Sequence, residues 1–201
     1  MKFFHRTGGR PSRLGILPGT FNPVTVAHVA LADAALSAVE EVAFVLPRMF
    51  PHKPYEGASF DERLEMLCTA LAGRGRFSVA ASDRGLFVEI AEECRLAYGP
   101  TPHLTFLCGR DAAERIAGWD YGRAGAFAEM LGGFDLLVAA RGGEYQPPDE
   151  LRPAIRTLAL DGDFTDVSSR EVRRRIAAGE AWEHLVPALI REQAGKIYRA
   201  R

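Results

Sequence analysis

No stretch of this 201-residue chain approaches the ~20 consecutive apolar residues that a membrane-spanning helix needs. Net charge is also scarce: 25 Lys and Arg against 26 Asp and Glu leave −1 at pH 7. That balance argues against a general binder of nucleic acid or membrane surfaces, so any anion site must be local. Cysteine is limited to Cys68, Cys94 and Cys108, with no C-x-x-C pair and no even-numbered framework. They read as reduced, mostly buried thiols of a cytoplasmic protein. Internal repeats and low-complexity segments are missing too. Residues 1–12 carry basic side chains with no apolar core behind them, so they read as a flexible tail and not a signal peptide. Residues 13–201 then form one domain, long enough to bury about 70% of its extended-chain surface.

What the chain does have is a stretch around which the rest is ordered, Gly15–His28 (GILPGTFNPVTVAH). The apolar Leu14, Ile16 and Leu17 read as a buried first strand that breaks at Pro18-Gly19. After Thr20-Phe21-Asn22-Pro23 the chain enters an amphipathic helix over 27–39. A strand, a glycine turn and a helix make a phosphate site, because the amides at a helix N-terminus are unpaired and carry partial positive charge. Gly19 is expected to let the backbone approach a ligand. Thr25 and His28, three apart, project from one side of the first helical turn.

Further strands are expected at 41–46, 77–80, 103–107, 134–139 and 157–160. Helices are expected at 60–72, behind the capping box Ser59-x-x-Glu62, and at 86–98, from Asp111 onward, at 169–178 and at 186–198. This alternation predicts an α/β fold, a Rossmann-like, doubly wound parallel sheet of five to six strands with helices on both faces. Ligands of such sheets sit beyond the strand C-terminal ends, where Gly19 and Gly109 both fall.

GTFNPVTVAH resembles the G-x-F-x-P-x-[HT]-x-x-H signature of the nucleotidylyltransferase superfamily. Within it, the chain is most similar to nicotinate and nicotinamide mononucleotide adenylyltransferases. PHK (Pro51–Lys53), FDERLEML (Phe60–Leu67), Gly109-Arg110-Asp111 with the following Trp119, and VSSREVR (Val167–Arg173) stand in the matching order. The resemblance implies that Gly19, Thr20, Phe21, His28, Ser168, Ser169, Arg170 and Arg173 bind ATP. It places His28 where charge develops at the α-phosphorus, and gives Thr25, Lys53 and Arg173 shares in catalysis. Asn22, Lys53, Gly109, Asp111 and Trp119 are implied to meet the acceptor, Trp119 by stacking on a pyridine ring. Mg²⁺ is implied on the ATP phosphates, without a protein ligand set. Nucleic acid and membrane are not expected partners, and a homo-oligomer is left open.

Plainer readings stand beside these. Ser168 and Glu171 form S-x-x-E, a sufficient reason for both as a capping box. A capped helix start is also an anion site, and Arg170, Arg173 and Arg174 crowd one face there, which is unfavourable unless an anion is met. Arg63 is expected to anchor loop to helix by ion pairing. Loop residues His52 and Lys53 could simply be solvated, and Trp119 could be core. The chain also departs from the commonest family pattern. Thr25 stands for the first histidine, Ala27 for a glycine, Asn22 for an aspartate and Arg170 for a threonine. Arg84–Cys94 (RGLFVEIAEEC) offers no hydroxyl where pyridine-nucleotide members carry Ser-Tyr-Thr. With Phe87 and Val88 there, the pyridine would be recognised by stacking and backbone amides, which separate acid from amide weakly.

The chemistry implied is attack by the phosphate of a mononucleotide on the α-phosphorus of ATP, in line, with pyrophosphate leaving. A phosphate monoester is already a dianion near neutral pH (second pKa ~6), so no general base is needed. Two alternatives stay open. One is the same transfer to another phosphate acceptor such as phosphopantetheine. The other is a nucleotide-binding relative without transfer activity.

Overall fold

The computed structural model describes residues 1–49, 57–119, 121–122, 125–140 and 145–200. Its sheet has seven strands: β1 (Lys2–His5), β2 (Arg13–Pro18), β3 (Glu41–Pro47), β4 (Phe77–Ser82), β5 (His103–Gly109), β6 (Asp135–Ala139) and β7 (Ile155–Leu158). They lie in the order β1-β4-β3-β2-β5-β6-β7. All pairs are parallel except β1 with β4. The helices are α1 (Val26–Ala35), α2 (Phe60–Ala70), α3 (Phe87–Tyr98), α4 (Arg110–Ala117), α5 (Ala126–Leu131), α6 (Ser169–Ala178) and α7 (Arg191–Arg199).

Apolar alternation along the strands builds two cores, one on each face of the sheet. Phe44, Leu46 and Leu107 point to the side covered by Met66 of α2, Val172 of α6 and Tyr198 of α7. Leu14, Ile16, Val45 and Phe106 point to the side covered by Ile90 of α3, Ala113 of α4 and Phe127 of α5. β3 is buried along its whole length, as a central strand covered on both faces should be. Strand order reverses between β2 and β5, since the chain runs outward from β2 through β3 and β4 and then returns to β5 on the other side. That reversal is the switch point at which open α/β sheets bind ligands.

Several expectations need correction. The sheet has seven strands, not five or six, and it is not wholly parallel. The extra strand comes from the supposed flexible tail: Lys2↔Ala81 and Phe3↔Ala80 pair antiparallel to β4. Arg6 lies 4.6 Å from the ring centroids of both Phe3 and Tyr98, and the Thr7 amide donates to Ser78 Oγ at 3.0 Å. α1 ends at Ala35, where Ser37 turns its hydroxyl onto the Ala34 carbonyl at 2.8 Å and competes with the helix ladder. The closing helix starts at Arg191, after two 3₁₀ turns at Glu183–Leu185 and Ala188–Ile190 around Pro187. α5 was not anticipated, because only six residues separate Gly125 from Gly132.

The opening segment is tied in through a buried carboxylate. Glu41 starts β3, and Ser78 Oγ and Tyr98 Oη each donate to its Oε1 at 2.6 Å. The Thr7 hydroxyl donates to Oε2. A buried carboxylate needs such donors to offset its lost hydration. Tyr98→Phe and Thr7→Val should therefore each cost about 1 kcal/mol in urea unfolding. Their combined loss should fall short of the sum, because they share one partner. An unchanged unfolding midpoint in both variants would remove Glu41 as the anchor of β1.

Candidate functional site

The loop between β2 and α1 is buried, yet it carries main-chain polar groups that no ladder satisfies. Such groups must find partners, and side chains from distant elements supply them. Arg63 Nη1 donates to the Thr20 carbonyl at 2.8 Å, and Arg63 Nε to the Ala58 carbonyl at 3.3 Å. Arg173 Nη1 donates to the Asn22 carbonyl at 2.5 Å and to the Ser169 carbonyl at 3.2 Å. Ser169 Oγ donates to the Pro23 carbonyl at 2.7 Å. The loop of the first motif is thus stitched to the start of α2 and the start of α6. Arg63 anchors loop to helix, and the Thr20 and Ala58 carbonyls are among its partners.

Inside the loop the side chains fold inward. Phe21 has a left-handed φ of 45° and is buried. Its ring meets Phe44 at 5.7 Å and the edge of His28 at 5.2 Å. Gly19 is required by this packing: a Cβ there would lie 2.9 Å from the Phe21 ring. The Gly19 amide donates to the Val45 carbonyl at 3.1 Å. Room for Phe21 is thus a reason for the glycine that stands beside the expected close approach to a ligand. Asn22 is 3% exposed. Its Oδ1 accepts from Tyr198 Oη at 2.6 Å and from the Ala58 amide at 3.2 Å.

Thr25 is fully buried and is the N-cap residue of α1. Its backbone amide donates to His28 Nδ1 at 3.0 Å, and its hydroxyl lies 2.8 Å from the same nitrogen. A backbone amide can only donate, so Nδ1 is an acceptor and the neutral ring carries its proton on Nε2. Thr25 was expected to reach a phosphate with its hydroxyl. In the structure that hydroxyl meets the histidine, which is half-buried, and leaves Nε2–H as the ring's donor.

At α6, Ser168 Oγ accepts from the Glu171 amide at 3.1 Å, so the capping expectation stands on its first half. The reciprocal half is displaced. Glu171 instead accepts from Arg174 Nη2 at 2.8 Å and Arg175 Nε at 2.7 Å. Hydrogen bonds from Arg174 and then Arg175 hold its carboxyl down at about 2. Arg174 also pairs with Glu180 at 2.6 Å. The inference from crowded arginines is corrected accordingly: Arg170 and Arg174 are both exposed, Arg174 is paired with Glu171 and Glu180, and Arg173 holds the loop.

Across the switch point, Gly109 caps α4 and Asp111 is exposed in its first turn. A Cβ at Gly109 would meet nothing within 4 Å, so packing does not demand glycine there. Trp119, beyond the end of α4, is 45% exposed. It lines a cleft of about 420 Å³ with Phe87, Val88, Ile116, Tyr121 and Arg115. Phe87 stacks on Phe106 at 4.4 Å, which sets that wall of the cleft. Cys108 also lines it, and burial pushes its thiol up to about 12, so it stays protonated. A larger cleft of about 620 Å³ runs along α7 beside Trp182 and Arg191, and none of the motif residues line it. His52 and Lys53 lie outside the described residues.

The structure therefore brings Thr20, Phe21, Asn22, Thr25, His28, Ser169 and Arg173 together, and sets Trp119 with Phe87 and Val88 in one cleft. Motif reading missed Tyr198 and Ala58 as partners of Asn22. A signal for Tyr198 existed. Ile190, Ala194 and Tyr198 recur at helical spacing, and a tyrosine on a buried stripe needs a partner for its hydroxyl.

A family model described as cytidylyltransferase-like matches residues 16–175. A protein named "probable nicotinate-nucleotide adenylyltransferase" from Geobacter sp. (strain M21) is 30% identical over 210 residues, spanning 90% of this chain and 94% of its own length. One of the same name from Solibacter usitatus is 31% identical over 189 residues, spanning 89% and 94%. In fold, the chain is similar to Plasmodium falciparum nicotinic acid mononucleotide adenylyltransferase complexed with NaAD. That match has a TM-score of 0.72 at 17% identity, over 92% of this chain and 97% of the other.

Arg173 and Arg175 sit on one helix with different partners, so they test what the loop contacts contribute. Arg173→Ala should weaken affinity for an ATP analogue by about tenfold, the scale of one lost charge-assisted hydrogen bond. Arg175→Ala, which breaks contacts with Glu171, the Ala181 carbonyl and His184, all outside the loop, should leave that affinity unchanged. Equal affinities in calorimetric titration would mean that the Asn22 contact does not shape a nucleotide site.

Proposed function

Because this chain belongs to the cytidylyltransferase-like family, we propose that it transfers AMP from ATP to nicotinate mononucleotide, releasing pyrophosphate, as a step of NAD biosynthesis. The observation that carries this reading is the clamped His28: a half-buried imidazole whose Nδ1 is occupied by Thr25, beside a loop pinned to the start of α6. Nε2–H of His28, the amides at the start of α6 and exposed Arg170 are all donors or cations. Together they suit a polyphosphate and its developing charge. None of them is a nucleophile, and none is required. The acceptor's phosphate dianion supplies the attacking oxygen, an oxygen–phosphorus bond forms at the α-phosphorus, and the bond to pyrophosphate breaks. What the chain contributes is positioning and charge stabilisation. In this reading Thr25 acts on the reaction through His28. Ser168 caps the helix whose N-terminus meets the phosphates, and Ser169 and Arg173 hold the loop.

Among the described residues, no group of three or more His, Cys, Asp or Glu could hold a metal. A donor-rich site of this kind fits a triphosphate that brings its own Mg²⁺. That ion would neutralise phosphate charge and need no protein carboxylate. Gly109 and Asp111 border the acceptor side, and Trp119 offers a face for the pyridine. Among the described residues that line the Trp119 cleft, Arg115 is the charged one, which favours the acid over the amide by electrostatic complementarity.

A pyrophosphate-release assay with Mg-ATP and a panel of phosphate monoesters tests this reading. Nicotinate mononucleotide should be turned over best, nicotinamide mononucleotide more slowly and phosphopantetheine not at all. His28→Ala should keep the fold and lose roughly 10²-fold in kcat, the size of one preorganised donor. Activity on phosphopantetheine alone would overturn the acceptor assignment, and wild-type kcat in His28→Ala would remove the histidine from the site.

A further inference from the structure

Tyr198 makes a polar contact that none of the motifs announces. It lies near the end of α7, is buried, and donates from its hydroxyl to Asn22 Oδ1 at 2.6 Å across 176 residues of sequence. The same oxygen accepts the Ala58 amide at 3.2 Å. Because both partners donate, the carboxamide is oriented, with Oδ1 toward Tyr198 and Ala58 and Nδ2 toward Gly57. A Cβ on Gly57 would lie 2.2 Å from that nitrogen, so the backbone there presses against the amide. The Asn22 carbonyl meanwhile takes Arg173. One residue of the first-motif loop thus sets where the lead into α2, the first turns of α6 and the end of α7 stand relative to one another.

We propose that Tyr198 is a positioning residue for nucleotidyl transfer, acting through Asn22 to hold the Thr20–Thr25 loop, and with it His28, in register with the start of α6. This rests on the reading of the site as a nucleotidyltransferase site. The competing account is that Tyr198 is one more satisfied core hydroxyl. The protein holds a matched control for that account. Tyr98 is also largely buried, and its hydroxyl donates to Glu41 at the same 2.6 Å, at the beginning of β3 and so at the opposite end of the strands from the site.

The test compares Tyr198→Phe with Tyr98→Phe, each removing one hydroxyl and keeping the ring. Both should unfold at somewhat lower urea concentration. Only Tyr198→Phe should lose kcat with Mg-ATP and nicotinate mononucleotide, by about tenfold per folded molecule, the scale of one lost hydrogen bond expressed in the transition state. Its KM for the mononucleotide should stay within about twofold. In an Asn22→Ala background the Tyr198→Phe change should add less than about a twofold loss, since its route to the site is already cut. Unchanged kcat in Tyr198→Phe, equal losses in the two tyrosine variants, or losses that multiply in the Asn22→Ala background would each overturn the proposal. If the wild-type protein fails to turn over this substrate pair, the functional reading has failed separately. The ATP-analogue affinities of the two tyrosine variants then decide on Tyr198: weakening in Tyr198→Phe alone supports its role, and equal affinities end it.

Discussion

A buried loop has to satisfy its own main chain, and that requirement organises the site. Between β2 and α1, the Thr20, Asn22 and Pro23 carbonyls take donors from Arg63, Arg173 and Ser169 respectively. An unpaired buried carbonyl costs about 1–3 kcal/mol, so these contacts determine where α2 and α6 stand. Residues that resemble phosphate ligands therefore have structural partners within the protein. Ser169 and Arg173 shape the cradle, and His28, steadied by Thr25 and Phe21, is left with a single ring donor. This division fits a reaction whose catalysis is mostly placement.

The sheet delivers that loop to the right place. Crossovers to β3 on one side and a return to β5 on the other leave the β2–α1 loop and the start of α4 side by side at the strand C-terminal ends. Two cores on opposite faces make this a rigid platform. The far end of the sheet is held by a separate polar cluster around Glu41, which recruits Thr7, Ser78 and Tyr98. The two ends are thus stabilised by separate networks, one around Glu41 and one around the β2–α1 loop.

Much of this was legible because it is local. The strand, turn and helix of Gly15–His28, the Ser59 and Ser168 caps and the Gly179 stop depend on neighbours within a few residues, and each appears in the structure. What could not be read is the work of single side chains whose partners are far away in sequence. Gly19 also makes room for Phe21, a packing reason that the motif does not display. Asn22 is buried and its side chain accepts from Tyr198, a partner 176 residues away. Thr25 looked like a phosphate donor, yet its hydroxyl meets His28. β1 was missed because four residues with no turn behind them show no period, and their pairing is set by β4. Chemical type and spacing marked these residues out as a group, but not which of them hold one another.

The central claim is that Thr25 fixes His28 with its proton on Nε2, ready to meet a phosphate. Long-range ¹⁵N–¹H spectra of the histidine rings, with His28 assigned by comparison with a His28→Gln variant, test it directly. The free protein should show an unprotonated Nδ1 and a protonated Nε2 on His28. A non-hydrolysable ATP analogue with Mg²⁺ should then shift the Nε2 resonance and leave the tautomer unchanged. A ring protonated at Nδ1, or an Nε2 signal indifferent to the analogue, would contradict the account.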